Sequence, residues 1–284
     1  MISANHKHYQ TVKDNSVSKE IFELLHDEDL DMLITSPQPE GAALSKYYES
    51  DDYISHTDGK RSLFEKAYHF IKNIALKNKL NLVNGLQDKK GALLDIGAGT
   101  GDFLLVAKNG GWNVIGVEPS EKARSIASQK GVELKQQTVD FADHSFDVIT
   151  MWHVLEHVPD LQSQIKELKR LLKPNGAIII AVPNFKSYDA KYYGEFWAAF
   201  DTPRHLWHFS KTAIKKLFQN ENIELIKILP MKFDSFYVSL LSEKYKTGKM
   251  NFIKAFFIGL KSNWKAKQKF EYSSHIYVLK NAKN

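Results

Sequence analysis

Residues 93–103, Leu93-Leu94-Asp95-Ile96-Gly97-Ala98-Gly99-Thr100-Gly101-Asp102-Phe103, constrain the fold more than any other stretch of this 284-residue chain. A short apolar run leads into three glycines at alternate positions, and helical spacing resumes at once. Glycine is needed where the backbone turns tightly and a ligand must approach without a β-carbon in the way. A strand, a glycine turn and a helix in that order put the ligand over the carboxyl ends of a parallel sheet.

The neighbouring sequence repeats this rhythm. Strands are expected at Ala92–Ile96, Asn113–Val117, Val132–Lys135, Phe146–Met151, Ala177–Val182, Ile223–Leu229 and His275–Leu279. Helices are expected at Asp102–Lys108, Ser120–Gln129, Leu161–Leu172 and Thr212–Gln219, the last capped by Ser210. Ala177–Val182 is uniformly apolar, as a central strand buried on both faces should be. Upstream, Phe64, Ala67, Tyr68, Ile71, Ile74 and Ala75 mark a helix from Ser62 to about Gly85. Alternating strands and helices predict an α/β fold with a doubly wound parallel sheet. Residues 1–60 read as a polar, irregular extension and a candidate lid. Residues 61–284 read as one catalytic domain, with lid insertions at about 184–209 and 231–272.

Composition narrows the chemistry. There is no cysteine, so disulfides and thiolate metal sites are excluded and a cytoplasmic setting is favoured. No apolar run has the ~20 residues that a membrane-spanning helix needs. The formal charge of +6 is uneven: ten lysines and two acids lie between Glu243 and the C-terminus. A basic, amphipathic helix near Asn251–Phe270 carries Ile253, Phe256, Phe257, Leu260 and Trp264 on one face. It packs on the domain or meets an anionic surface.

Two cofactor classes compete for the glycine loop. Dinucleotide folds use G-x-G-x-x-G to present a helix N-terminus to a pyrophosphate. Here the third glycine arrives one place early, at Gly101, and an acid, Asp102, stands where that motif has its last glycine. A carboxylate there suits S-adenosyl-L-methionine, which has no phosphate and carries a sulfonium and an ammonium. Asp95 is placed to bind the ammonium. Glu118, about twenty residues past the glycines, is placed for the ribose hydroxyls, and Pro119 stiffens the turn beneath the adenosine. Gly97, Ala98, Gly99 and Phe103 complete the loop.

These residues, with Ser145-Phe146-Asp147-Val148-Ile149, Val154-Leu155-Glu156-His157-Val158 and Leu171-Leu172-Lys173-Pro174-Asn175-Gly176-Ala177, resemble the successive motifs of class I S-adenosylmethionine-dependent methyltransferases. The resemblance covers residues 90 to 230 and is to the group containing the ubiquinone-pathway O-methyltransferases. It implies a Rossmann-like, seven-stranded sheet whose last strand is antiparallel. Some relatives have cysteine pairs before the Tyr-Tyr segment, and this chain has none. In the ubiquinone-pathway relatives an acidic cluster after the fourth strand is associated with a divalent metal. His153 stands here where another acid would, so no metal is expected.

Acceptor residues should cluster past the fourth and fifth strands. Trp152 and His153 should face the methionine end, with His153 a candidate general base. The segment Tyr188, Tyr192, Tyr193, Phe196, Trp197, Phe200 forms either a substrate lid or a satellite core. It closes on Arg204 and His205, which either face the acceptor, His205 as a catalytic base, or anchor the segment by hydrogen bonds. Tyr53 and His56, beyond Tyr47-Tyr48, are candidates to fold over the cofactor. A methyltransferase that moves a methyl group to a small or lipid-like acceptor, on oxygen, leads this reading. An RNA or protein methyltransferase and a non-catalytic cofactor-binding protein are the alternatives; DNA is not expected, while RNA and peripheral membrane contact stay open.

Overall fold

The computed structural model describes residues 6–48 and 63–282. The N-terminal region is not irregular: it forms the strands β1 (His6–Lys13), β2 (Ile21–Asp27) and β3 (Met32–Ser36). The strands pair antiparallel and in sequence order. The β1–β2 turn closes on Asp14, a buried carboxylate that accepts hydrogen bonds from the backbone of Ser16, Val17 and Ser18 and from both serine hydroxyls. Those bonds outweigh burial and hold its pKa down at about 2. Sheet alternation is present, but only one face is apolar, with Val12, Phe22 and Leu24 turned inward.

A short helix α1 (Ala42–Ser45) follows, and then the long α2 (Leu63–Asn84). The α/β unit begins at β4 (Ala92–Ile96) and α3 (Asp102–Asn109), then β5 (Asn113–Val117), α4 (Glu121–Gln129) and β6 (Leu134–Lys135). It continues through β7 (Phe146–Trp152), α5 (Leu161–Leu171) and β8 (Leu172–Pro183). After α6 (Tyr188–Tyr193), the two-residue β9 (Trp207–His208) crosses to the N-terminal sheet and pairs with β3. The chain ends with α7 (Lys211–Gln219), β10 (Ile223–Pro230), α8 (Asp234–Thr247), α9 (Phe252–Lys269) and β11 (Ser274–Asn281).

The large sheet has the order β10–β11–β8–β7–β4–β5–β6. Its last strand, β11, runs antiparallel to both neighbours, whereas the pairs β4–β5, β4–β7, β5–β6 and β7–β8 are parallel. Every residue from Ala177 to Val182 is fully buried, as expected of a strand with core on both faces. Ile178, Ile180 and Val182 join one core with Leu161, Ile165, Leu168 and Leu171 of α5, while Ile179 joins the other with Phe103 and Leu104 of α3. Because the sheet's two halves diverge between β4 and β7, a crevice opens beyond the carboxyl ends of those strands.

The aromatic segment after β8 is a second core. Tyr193, Trp197 and Phe200 are buried with Val12, Phe22, Leu24 and Leu33 of the N-terminal sheet and with Tyr47 of the turn that follows α1. Residues 184–209 thus form a packed small lobe with residues 6–48. Helix α8, within the 231–272 insertion, has no counterpart among the expected elements.

Candidate cofactor and active site

The turn after β4 is wound as its sequence requires. Gly97, Gly99 and Gly101 all have positive φ (71°, 53° and 75°), a region that side chains rarely adopt. A β-carbon on Gly97 would lie 2.3 Å from the Val154 side chain, whereas one on Gly99 would meet nothing within 4 Å. The loop is therefore closed beneath and open above. The amides of Gly97 and Ala98 both donate to the Val117 carbonyl, at 2.7 and 3.0 Å, which ties the loop to the end of β5.

Glu118 follows directly on β5 and spans the two turns. One carboxylate oxygen accepts the Gly99 amide at 2.9 Å and the other accepts the Ser120 amide at 3.0 Å. A carboxylate has about four acceptor sites, so two remain for ligand hydroxyls. Pro119 is exposed, and Arg124 clamps this turn by donating to the carbonyls of Glu118 and Pro119.

Asp95 lies inside β4 and is 3% exposed. The Thr150 hydroxyl, its partner in register on β7, donates to it at 2.6 Å. Burial pushes its pKa up to about 7, against the Thr150 hydrogen bond and the charge of Lys79. Lys79 reaches in from α2 and holds its ammonium 4.3 Å from the centre of the Trp152 ring. Trp152 packs edge-on against buried Phe103, and its buried indole N–H has no hydrogen-bond partner among the described residues. An orphaned donor, a buried carboxylate and an open glycine loop all fit a polar, cationic nucleoside.

Asp102 behaves differently from expectation. It does not offer a bare charge to the loop, because Lys72 and Lys130 each approach its carboxylate to 2.6 Å. Those lysines overcome burial and lower its pKa. Repulsion of a pyrophosphate by Asp102 is thus blunted, and discrimination falls to the glycine spacing.

Past β7, His153 adopts a left-handed conformation (φ 57°) between two carboxylates. Its Nδ1 lies 3.3 Å from Glu156 and its Nε2 3.2 Å from Asp234 at the start of α8. Burial opposes its charge, but the two acids win and raise its pKa to about 10. An imidazolium at neutral pH has no lone pair with which to accept a proton, so the geometry argues against His153 as a general base.

His205 is 8% exposed. Its Nδ1 donates to the Ala199 carbonyl at 2.9 Å, and its Nε2 lies 3.8 Å from the Asp201 carboxylate. The ring stands edge-on to His157, with centroids 4.5 Å apart. His157 donates from Nδ1 to the Arg204 carbonyl, and burial lowers its pKa to about 4. Arg204 is an anchor: it pairs with Asp201 and donates to the Tyr47 carbonyl and the Ser16 hydroxyl. Tyr53 and His56 lie outside the described residues.

Glu156, His157 and His205 each place one potential metal-ligand atom within 4.8 Å of the others. One carboxylate and two imidazoles are not the oxygen-rich set that hard cations such as magnesium and calcium select. Sequence reasoning missed Thr150, Lys79 and Asp234. Thr150 carried a signal, a lone hydroxyl in an apolar strand; the other two become neighbours only through the fold.

A family model described as a methyltransferase domain matches residues 29–228. The chain belongs to this methyltransferase family. It is a class I S-adenosylmethionine-dependent methyltransferase. The ubiquinone biosynthesis O-methyltransferase of Actinobacillus pleuropneumoniae serotype 7 (strain AP76) is 33% identical over 162 residues, 51% of this chain and 68% of that protein. Its namesake from Vibrio atlanticus (strain LGP32) is 36% identical over 135 residues, 43% of this chain and 56% of that one. Among solved structures, a possible histamine N-methyltransferase from Thermotoga maritima superposes with a TM-score of 0.52 at 21% identity, covering 77% of this methyltransferase and 94% of that chain. The geranyl diphosphate C-methyltransferase of Streptomyces coelicolor A3(2) superposes with a TM-score of 0.53 at 15% identity, covering 81% and 88%. Both confirm the fold.

Proposed function

We propose that this methyltransferase moves the methyl group of S-adenosylmethionine to the oxygen of a small, lipid-like hydroxyl compound. The observation that carries this reading is the similarity to proteins named ubiquinone biosynthesis O-methyltransferase. In the proposed binding mode, Asp95 and the indole N–H of Trp152 face the amino-acid end. The free acceptor sites of Glu118 take the ribose hydroxyls, and Gly97, Ala98 and Gly99 form the floor. The bound cofactor supplies an already activated methyl group, so the chain's task is alignment and removal of one proton. Holding two reactants in line contributes up to ~7 to 11 kcal/mol.

His205 is the proposed proton acceptor. The Ala199 carbonyl takes its Nδ1–H, so proton transfer falls to Nε2, which lies 3.8 Å from the Asp201 carboxylate, whereas His153 is held charged by Glu156 and Asp234. His153 instead positions the turn after β7 and links it to α8.

Incubation with methyl-labelled cofactor and fractionated cell extract tests the acceptor class. Label in the lipid or small-molecule fraction supports the reading, and label confined to RNA or protein overturns it. With the acceptor in hand, His205→Ala should lower kcat by roughly 100-fold or more and leave the cofactor Kd unchanged by calorimetry; unchanged kcat would make His205 purely structural. Glu118→Ala should weaken cofactor binding by about 1 to 3 kcal/mol. Since Asp95 ionises near pH 7, cofactor affinity should rise as pH increases from 6 to 8, and Asp95→Asn should flatten that profile.

A further inference from the structure

Helix α9 is amphipathic in the reverse of the usual sense. Its inward stripe is Ala255, Gly259, Ser262 and Ala266, all buried. Gly259 lies so close to α8 that a β-carbon would stand 2.8 Å from the Phe236 ring, and Ser262 donates to buried Asp189 at 2.6 Å. Small residues thus seat the helix on the molecule. The large apolar ones face outward: Ile253 is 73% exposed, Phe256 53%, Phe257 61%, Leu260 49% and Trp264 56%. The stripe continues onto the preceding segments through Met250 and Phe233, also exposed. A helix that only packed on its domain would turn these side chains inward, and contiguous exposed apolar patches mark an interaction surface.

Charge identifies the partner. Between Lys244 and Phe270 there are eight lysines and no acid. Lys261 and Lys265, four residues apart, follow one border of the apolar stripe, where Lys254 is already paired with buried Glu243 at 3.1 Å, and Lys246, Lys249, Lys267 and Lys269 are exposed at its two ends. A second copy of the same face would bring these lysines against one another. An anionic surface would meet both features at once, taking aromatic side chains into its apolar layer and lysines among its headgroups.

We propose that the α8–α9 pair is a bilayer-docking face, on which Phe256, Phe257, Leu260 and Trp264 insert at the surface of an anionic lipid membrane while the flanking lysines contact its headgroups. No described helix is long and apolar enough to cross a membrane, so the docking is peripheral. The first residue of α8, Asp234, is the ion-pair partner of His153, and the docked face therefore adjoins the site. This inference goes beyond the proposed acceptor and does not depend on it.

The test uses the full chain without cofactor or acceptor, so its outcome is separate from that of the methyl-transfer assay. Co-sedimentation is measured with vesicles of phosphatidylcholine alone and of phosphatidylcholine with phosphatidylglycerol. Binding should be at least tenfold stronger to the anionic vesicles and should weaken as salt is raised. The double variant Phe257→Ser/Trp264→Ser should lose at least tenfold in binding with an unchanged melting temperature, and Lys261→Gln and Lys265→Gln about fivefold each. Vesicles should shift tryptophan emission to the blue in the wild type, and Trp264→Phe should remove most of that shift while still sedimenting. Failure of the wild type to bind anionic vesicles, or equal binding by the double serine variant, would overturn the proposal. So would a lipid-free dimer at sedimentation equilibrium that the double variant dissociates, because a second copy would then be the occupant.

Discussion

The crevice beyond β4 and β7 and the outer face of α9 depart from ordinary protein chemistry in opposite directions. The crevice buries charge: Asp95 and Glu156 are 3% and 1% exposed, and His153 is wedged between two carboxylates. The α9 face exposes aromatics on a helix whose buried stripe is alanine, glycine and serine. One departure is compensated inside the molecule by ion pairs and hydrogen bonds. The other has no internal compensation and calls for something outside it. The contrast separates a site completed by a small ligand from a surface completed by a partner.

Breaking the buried ion-pair network should have the largest effect. Glu156→Ala leaves the His153 imidazolium with Asp234 alone and should cost on the order of 3 kcal/mol of stability in urea unfolding. The pH dependence of that network is also defined. His153 has a folded pKa of about 10, above its ordinary 6.5, so its stabilisation is complete below pH 6.5 and is lost as pH rises through 10. The stability gap between wild type and His153→Gln should shrink over that window. A constant gap would mean that the ring is not charged in the folded state.

Overpacking the seat of α9 ranks next. Gly259→Leu forces the Phe236 ring and backbone away and should cost about 1 to 3 kcal/mol. A neutral result by thermal melt would show that α9 is loosely attached. The smallest effect is expected on the outer face itself, where Phe257→Ser should change stability by less than ~0.5 kcal/mol. A larger loss would mean that the ring is covered within the free molecule, and the contrast between the two regions would fail.

How much of this could be read from the sequence differed by region for physical reasons. The large sheet was legible because its central strand is uniformly apolar and its glycine turn has few other uses. The order of Asp95, Glu118 and Trp152 along the chain placed them at one end of that sheet. The N-terminal strands were not legible. His6–Lys13 is mostly polar, and β3 gains its outer neighbour only from Trp207-His208, so local propensity had little to register. Helix α8 escaped because its buried positions include Ser235, Ser239, Ser242 and Glu243, a stripe without hydrophobic periodicity. Ser235 and Ser242 bury through hydrogen bonds instead, to the Gly259 carbonyl and from the Ala198 amide. The aromatic segment after β8 was visible as a cluster, but its choice between flap and core was made by partners in the N-terminal strands and at Tyr47, far earlier in the chain. Asp102 shows the same limit in electrostatics, since its two lysines converge only through folding.

The pairing of β3 with β9 sets a timetable for synthesis. Thr35 donates its hydroxyl to the His205 carbonyl, 170 residues away, and the small lobe's core needs rings from both stretches. A ribosome adding roughly 5 to 20 residues per second would deliver the second stretch about 10 to 30 seconds after the first. Until then the nascent chain carries a three-stranded sheet with an apolar side uncovered and one edge unpaired. The N-terminal strands, made 170 residues before the carbonyl that Thr35 bonds, are therefore among the last to reach their final surroundings.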